Sequence, residues 1–303
     1  MRRINFSIVF ILLAGVFWGM LGMFTRFLSD SGITDPEKLF VRCGVSFVVI
    51  FLYLLCRNRS LLKISLRDIW MFLGSGIMSV GSFCLVYFYT VAHIDVSIAA
   101  VLTYTSPAFI ICLSAVFFKE RITLIKILSI VLTVIGCVFV SGVTGGVDAV
   151  EPRYIASGVL SGFLYSLNTI FGTVALRRYH PLTVTLYTFL FAALTALPFM
   201  HLSHLASVAA SGSNWLLMLS FALVTAMLPY SLYITGLKKT EPGTAAVCAT
   251  LDPVTAAVLG ALVLGEPVSL STLLGIIFVL SGIVVVNLPG HEAPKIQKCG
   301  KEA

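Results

Sequence analysis

The stretch "GTAAVCATLDPVTAAVLGALVLGEPVSLSTLLGIIFVLSGIVVV", residues 243–286, has a second, diverged copy in the same chain. A shift of 146 residues aligns it without a gap on "SIAAVLTYTSPAFIICLSAVFFKERITLIKILSIVLTVIGCVFV", residues 97–140. Shared apolar bias explains matches of alanine or valine, but three matches are of other kinds: Pro107 with Pro253, Glu120 with Glu266, and Gly136 with Gly282. The chain is therefore predicted to contain an internal repeat.

The composition indicates where such a chain resides. Of 303 residues, 58% are hydrophobic and 11% are charged. Soluble domains carry about 25% charged residues, so this chain lacks the polar surface to cover a water-soluble body of its size. The net charge of +7 comes without basic segments interleaved with stacking aromatics, so nucleic acid is not a predicted partner. The expected surroundings are a lipid bilayer.

Ten segments are long and apolar enough to be predicted as membrane-spanning helices, each needing about 20 residues. They are 7–28, 38–56, 68–91, 96–118, 124–142, 154–176, 181–202, 214–237, 242–264 and 270–288. Residues 1–143 form the first five-helix repeat, 144–290 the second, and 291–303 a cytoplasmic tail. The first segment has no A-x-A cleavage site, so we interpret it as a retained span and not as a signal peptide.

Lysine and arginine set the predicted orientation, because they concentrate in cytoplasmic loops. With both termini inside, 16 of the 20 basic residues lie on the cytoplasmic side, and four do not: Arg26, Lys38, Arg42 and Arg153. Each repeat holds five spans, an odd number, so the two copies lie upside down relative to each other. Inverted repeats are typical of secondary transporters, whose binding site lies near the midplane between the halves.

The motifs Phe17-Trp18-Gly19, "SPAFIICLSAVFFKERIT" and "LDPVTAAVLGALVLGEPVS" resemble those of EamA-type members of the drug/metabolite transporter superfamily. The resemblance covers about 7–288 and occurs twice. It implies a ten-helix carrier in a bacterial inner membrane that exports amino acids or related metabolites through a cavity lined by both halves. The chain departs from many relatives in having Asp252 where they have glutamate.

Asp252 is the principal candidate for the site. It lies ten residues after Pro242, the predicted start of its span, which places it about 15 Å deep, near the midplane. Pro253 follows it, and Ser106-Pro107 occupies the equivalent place in the first repeat. Each proline removes a helical hydrogen bond and is predicted to kink its helix.

An ionisable side chain at this depth is expensive unless it faces water or a partner, which favours function. The competing interpretation is structural: a protonated aspartate, or one bonded to backbone that Pro253 frees. Two functional roles stay open, binding a substrate's cationic amine and carrying a coupling proton. Thr244, Cys248 and Thr255 recur at helical spacing with Asp252 and predict a small, polar face.

Further candidates come from other spans. Tyr165 and Asn168 lie on one face of span 6, where Asn168 binds either substrate or a neighbouring helix. Trp18 lines the cavity, packs in the core or faces lipid, and Tyr104 and Tyr230 are deep enough to line a cavity. Tyr87 and Tyr233, matched by the repeat, are interpreted as interface aromatics. Arg42 is interpreted as pairing with Asp30, Asp35 or Glu37, with attraction of anionic groups as the alternative. Gly15, Gly19 and Gly22 are expected to permit close helix packing.

The rival class is an intramembrane enzyme. A second midplane carboxylate, HExxH, G-x-S-x-G and a Walker A loop are all missing from the sequence, so an enzyme is disfavoured and ATP-driven transport within this chain is excluded. The cysteines show no metal-type spacing, so neither a metal nor a cofactor is expected. An uptake carrier or a facilitator remains an alternative to an exporter, and a homodimer an alternative to a monomer.

Overall fold

The computed structural model describes residues 6–94, 96–140, 151–212, 214–263 and 269–288. Every regular element in these ranges is helical. The predicted tail 291–303, the basic pair Arg2 and Arg3, and Glu266 lie outside them.

Several described helices of the first half are short and are followed closely by the next helix. They are α1 Phe6–Gly19, α2 Leu21–Asp30, α3 Asp35–Arg57, α4 Ile69–Leu73, α5 Ser82–Val91, α6 Val96–Thr103, α7 Ser106–Phe118 and α8 Leu124–Val140. A π-helical segment, Gly74–Gly81, joins α4 to α5. Short 3₁₀ turns at Arg59–Leu62 and Leu66–Asp68 connect α3 to α4.

The second half follows the same plan. Its described helices are α9 Pro152–Ala175, α10 Pro181–Ala196, α11 Leu202–Ala210, α12 Asn214–Ala222, α13 Leu228–Leu237, α14 Pro242–Ala249, α15 Asp252–Val263 and α16 Leu270–Val286. A π-helical segment, Leu223–Met227, joins α12 to α13. A 3₁₀ turn, Leu197–Phe199, precedes α11, a helix where the sequence predicted only a connection.

Local chemistry explains where several helices begin. Proline occupies the first position of α9, α10 and α14, where its missing N–H has no intrahelical acceptor to bond anyway. At the start of α3, the backbone N–H of Thr34 donates to Oε2 of Glu37 over 2.9 Å and completes a capping box.

In the described part of the chain, eight helical stretches are long and apolar enough to cross a membrane. They run 6–30, 35–57, 66–91, 98–118, 152–175, 181–199, 214–237 and 242–263. The remaining two predicted spans correspond to α8 and α16, apolar helices of 17 residues each. Their helical length of about 25 Å is shorter than the roughly 30 Å hydrocarbon layer.

The internal repeat extends to the element boundaries. Adding 146 to the first and last residues of α5, α6 and α8 gives those of α13, α14 and α16, and adding it to the first residue of α7 gives the first residue of α15. The interruption between α6 and α7 at Tyr104–Thr105 therefore corresponds to that between α14 and α15 at Thr250–Leu251.

The two halves pack on each other reciprocally. Helix α1 packs on α13, α14 and α15, while α9 packs on their counterparts α5, α6 and α7. Helix α8 lies along its own counterpart α16, and α3 lies along α10. Glycine permits the closest of these contacts: a Cβ at Gly136 of α8 would lie 2.7 Å from the backbone N of Val279 in α16. The first span of each half thus contacts the broken helix of the other half.

Candidate functional site

Both helices with a predicted kink are interrupted shortly before their proline. The first piece ends four residues before it, at Thr103 or Ala249, and the next piece begins one residue before it, at Ser106 or Asp252. Proline clashes with the carbonyl four residues earlier, and for Pro107 and Pro253 those carbonyls belong to Thr103 and Ala249, where α6 and α14 end. Pro253 is buried as the second residue of α15, so Asp252 is the first residue of a new helix.

Two glycines of the facing helices accommodate these breaks. A Cβ at Gly15 of α1 would lie 2.9 Å from the carbonyl oxygen of Ala249, and one at Gly162 of α9 would lie 3.0 Å from that of Thr103. A Cβ at Gly19 would lie 2.6 Å from the carbonyl oxygen of Asp252. The expected close packing is therefore confirmed for Gly15 and Gly19, but Gly22 has nothing within 4 Å.

A cavity of about 170 Å³ lies where the two broken helices meet α1, α3, α5, α9 and α13. Both halves contribute to its wall. The lining residues are Trp18, Leu21, Arg42, Phe83, Tyr87, Ala100, Thr103, Tyr104, Ser106, Pro107, Ile110, Tyr165, Tyr230, Tyr233, Ala246, Ala249, Thr250 and Asp252.

Asp252 is incompletely satisfied in this wall. Its Oδ2 accepts a hydrogen bond from the Tyr104 hydroxyl over 3.3 Å, longer than the roughly 2.5–3.0 Å usual for an O–H···O bond. Its Oδ1 is buried and has no hydrogen-bond partner among the described residues. The N-terminus of α15 favours a negative charge at this position, but a buried carboxylate oxygen without a donor is costly. The carboxylate can therefore accept a hydrogen bond from a cation or hold a proton.

Aromatic rings form much of the remaining wall. Trp18 packs edge-on against Tyr230 with ring centroids 5.3 Å apart, and Phe83 packs edge-on against Tyr165 at 5.2 Å. Trp18 is 8% exposed, and its Nε1–H is buried with no described partner. Trp18 thus lines the cavity and does not face lipid.

The pairing predicted for Arg42 is wrong. Its Nη2 donates to the carbonyl oxygen of Thr225 over 2.8 Å, and its guanidinium lies 5.9 Å from the centroid of the Tyr230 ring. The acids near it in sequence are engaged elsewhere: Asp35 with Lys38, and Glu37 with His204. Arg42 therefore presents a positive charge to the cavity. Thr225 belongs to the second half, so the contact depends on packing that the local sequence does not reveal.

The structure brings together most of the predicted site residues. Those lining the cavity are Trp18, Tyr104, Ser106, Pro107, Tyr165, Tyr230 and Asp252. Four lie outside the lining. Cys248 is fully buried and accepts from Asn287 Nδ2 over 3.2 Å; Thr255 bonds the Leu251 carbonyl over 3.3 Å; Asn168 and Pro253 are buried elsewhere. The small, polar face predicted for this span therefore does not form one surface of the cavity.

Tyr87 and Tyr233, predicted as interface aromatics, also line the cavity, and that prediction is wrong. The Tyr233 hydroxyl shares a 2.8 Å hydrogen bond with Thr169. Sequence reasoning also missed Phe83, Thr103 and Thr250. The repeat register carried the signal for the tyrosine pair, since equivalent positions in a two-fold arrangement face the same centre.

In the ranges that the structure describes, no cluster of three or more His, Cys, Asp or Glu side chains is placed to hold a metal ion. The six described cysteines are free.

The model of the EamA-like transporter family matches the chain twice, over residues 5–142 and 153–288. The chain belongs to the EamA-like transporter family. The resemblance noted in the sequence is thereby confirmed, and the two matched segments correspond to the two halves of the internal repeat.

Several curated proteins are similar to this chain. YxxF of Bacillus subtilis strain 168, an uncharacterized transporter, is 24% identical over 283 residues, 92% of this chain and 88% of that protein. The pseudopaline exporter CntI of Pseudomonas aeruginosa strain UCBPP-PA14 is 29% identical over 230 residues, 71% of this chain and 75% of that protein. A solved crystal structure with 19% sequence identity superposes with a TM-score of 0.76 over 93% of this chain and 96% of that one. It shows that the fold is shared.

Proposed function

We propose that this transporter is a secondary active carrier that exports amino acids or related small metabolites by alternating access. One observation carries the proposal: a buried oxygen of Asp252 has no partner in the described structure and lies in the wall of a cavity that both halves build. Secondary carriers place their binding groups in such positions, at interrupted helices between two repeats.

In the proposed topology, ten helices cross a bacterial inner membrane, with both termini in the cytoplasm and the two halves inverted. The identical spacing of element boundaries at 146 residues supports this arrangement, because each half then contains five spanning units. Helices α8 and α16, although short, would be the fifth units. A local thinning of the bilayer of a few ångströms accommodates such a mismatch.

Reciprocal packing provides a route for alternating access. Glycines of α1 and α9 allow each helix to lie directly against the backbone of the other half's broken rod. Small residues let such surfaces approach closely with few interlocking side chains. Rocking one half against the other would then expose the cavity to one side and close it to the opposite side.

The proposed direction of transport, export, is supported by one named relative. CntI is named an exporter, and it is similar over 71% of this chain. Uptake, or facilitated passage of another small organic solute, is the alternative. Asp252 would bind the cationic amine of the substrate or carry a coupling proton, and the geometry is compatible with both roles.

The proposal can be tested by comparing metabolites in the medium of cells that express the wild type with those expressing Asp252→Asn at matched membrane levels. Asp30→Asn, which changes an exposed aspartate, is the matched control. A compound enriched by the wild type and by Asp30→Asn, but not by Asp252→Asn, would support export and the role of Asp252. Equal enrichment by all three proteins would show that Asp252 is structural.

A second experiment separates the classes of function. Purified protein in proteoliposomes, preloaded with the compound found in the medium, should show saturable uptake of the labelled compound that internal unlabelled compound accelerates. A channel would pass it without this acceleration, and an enzyme would release a new chemical product.

A further inference from the structure

Two side chains of opposite charge line the cavity, and they do not form an ion pair with each other. Arg42 comes from α3 in the first half and Asp252 from α15 in the second. Among the described residues, the hydrogen-bond acceptor of Arg42 is the Thr225 carbonyl, and the donor to Asp252 is the Tyr104 hydroxyl. Each charged group is therefore hydrogen-bonded to a neutral group, and neither forms an ion pair with another side chain in the described ranges.

Both groups retain unused hydrogen-bonding capacity. The Nε–H of Arg42 is buried and unbonded in the described structure, as is Oδ1 of Asp252. A guanidinium presents five donors in a planar fork that matches a carboxylate. Here one end of the fork is fixed by Thr225 and one face by Tyr230, 5.9 Å away, which leaves the other donors for an anion.

We propose that Arg42 is a second substrate-binding residue, which takes the carboxylate of a zwitterion whose ammonium group binds Asp252. The inference rests on the proposed transport function and deepens it by naming the charges that the substrate must carry. A simple amine would leave Arg42 without an anion, and a simple carboxylate would leave Asp252 without a cation. Only a molecule with both charges satisfies both groups at once, and unpaired buried charges are costly.

The rest of the wall limits the substrate further. The cavity of about 170 Å³ is smaller than the roughly 300–1,000 Å³ typical of sites for drug-sized ligands. Aromatic rings line the same cavity as the two charges, among them Trp18, Tyr165 and Tyr230. The part of the zwitterion that carries no charge should therefore be small and apolar or aromatic.

A set of three probes tests the inference, using the full chain reconstituted in lipid nanodiscs. L-Phenylalanine carries both charges, phenethylamine lacks the carboxylate, and 3-phenylpropionate lacks the ammonium. Binding of each is measured for the wild type, Arg42→Gln, Arg42→Lys and Asp252→Asn. Arg153→Gln is the matched control, because that arginine is 64% exposed and pairs with Glu151 away from the cavity.

The wild type and Arg153→Gln should bind phenylalanine at least tenfold more tightly than either single-charge probe. Arg42→Gln should reduce phenylalanine binding to the level of phenethylamine and leave phenethylamine itself unchanged, and Arg42→Lys should recover part of the loss. Asp252→Asn should reduce phenylalanine binding to the level of 3-phenylpropionate and leave the binding of 3-phenylpropionate itself unchanged. This crossed pattern cannot arise from general misfolding, which would weaken all the probes together.

The inference is overturned if the wild type binds phenethylamine as tightly as phenylalanine, if none of the probes binds, or if Arg42→Gln weakens phenylalanine and phenethylamine equally. Counterflow measurements distinguish failure of this inference from failure of the proposed transport function. If the protein shows accelerated exchange of a solute but no preference for a carboxylate, the carrier function stands and only the role of Arg42 is rejected.

Discussion

The hydroxyl of Tyr104 donates to Oδ2 of Asp252 across 3.3 Å, and this bond joins the break of one half's helix to the break of the other. Tyr104 is the first residue after α6, and Asp252 is the first residue of α15. Among the described side chains, the Tyr104 hydroxyl is the one that donates a hydrogen bond to the Asp252 carboxylate. Tyr104 therefore positions the carboxylate that we propose binds substrate.

Replacing Tyr104 with phenylalanine should therefore weaken transport without impairing folding. Loss of one hydrogen bond to a charged group costs about 1.5 kcal/mol, which corresponds to roughly a tenfold loss of substrate affinity. The measurement is the concentration dependence of counterflow in proteoliposomes. Tyr53→Phe, at an exposed tyrosine, is the control and should behave like the wild type. Unchanged kinetics in Tyr104→Phe would mean that the bond does not position Asp252.

The contact of α1 with the break of the second half predicts a steric effect. A Cβ at Gly19 would lie 2.5 Å from Cβ of Thr255 and 2.6 Å from the carbonyl oxygen of Asp252, so Gly19→Ala must displace backbone. Overpacking of this kind costs about 1–3 kcal/mol. Gly19→Ala should therefore lower the melting temperature of the detergent-purified protein.

Gly22→Ala is the internal comparison for that experiment, because a Cβ at Gly22 would have nothing within 4 Å. This variant should be as stable as the wild type or slightly more so, since alanine is the better helix former. Equal melting temperatures for the two variants would contradict the close contact between α1 and α15.

A buried ion cluster ties the two halves together at the α7–α8 connection. Lys126 Nζ contacts Oε1 of Glu120 and lies 2.8 Å from Oε2 of Glu241, which precedes α14. Burial raises the pKa of Glu120, and the ammonium of Lys126 opposes the rise. Two carboxylates share one cation, so removing Lys126 would leave both without a counter-charge.

Lys126→Met should destabilise the protein by about 3–5 kcal/mol at neutral pH, because breaking a buried ion pair leaves uncompensated charge. A carboxyl whose folded pKa is raised destabilises the folded state above that pKa and ceases to do so as the pH falls through it. As the pH falls from about 8 to about 5, the melting temperature of the variant should therefore rise relative to that of the wild type.

Two further variants check the cause. Glu120→Gln added to Lys126→Met should recover part of the lost stability at neutral pH, because it removes one of the two buried charges. Lys63→Met, at an exposed lysine, should have no effect. If the double variant is less stable than Lys126→Met alone, the loss comes from packing and not from charge.

The proposed orientation predicts which loops a membrane-impermeant maleimide can reach in intact cells. Ser211→Cys, in the exposed connection between α11 and α12, should be labelled, and Lys63→Cys, in the exposed connection between α3 and α4, should not. Labelling of the wild type gives the background from native cysteines. Labelling of Lys63→Cys but not Ser211→Cys would reverse the proposed topology.

Much of the architecture could be predicted from the sequence because the information is local or periodic. Apolar run lengths located the eight long apolar stretches of the described chain and the shorter helices α8 and α16. The match of proline, glutamate and glycine at 146 residues predicted a repeat, and most element boundaries from α5 to α8 recur at that spacing. The Asp252-Pro253 pair also predicted a candidate site, because a charged residue and a helix-breaking proline are both costly within an apolar helix.

Placement of side chains around the cavity was less predictable. Helical spacing put Cys248 and Thr255 on the same face as Asp252. The interruption at Thr250–Leu251, however, lies between Cys248 and Asp252, and Thr255 lies against Gly19 of α1. The clash of Pro253 with the carbonyl of Ala249 accounts for the end of α14, and Gly15 lets α1 lie against that carbonyl.

The sequence by itself therefore determined the long apolar helices, the duplication and the exceptional Asp252-Pro253 pair within one of them, because each follows from residue type and spacing along one chain. Only the tertiary structure decided that Arg42 faces the cavity and bonds Thr225, and that Tyr87 and Tyr233 line it. Those outcomes depend on which helix of one half lies against which helix of the other. Close backbone contact at a few glycines selects that arrangement, and no single segment encodes it.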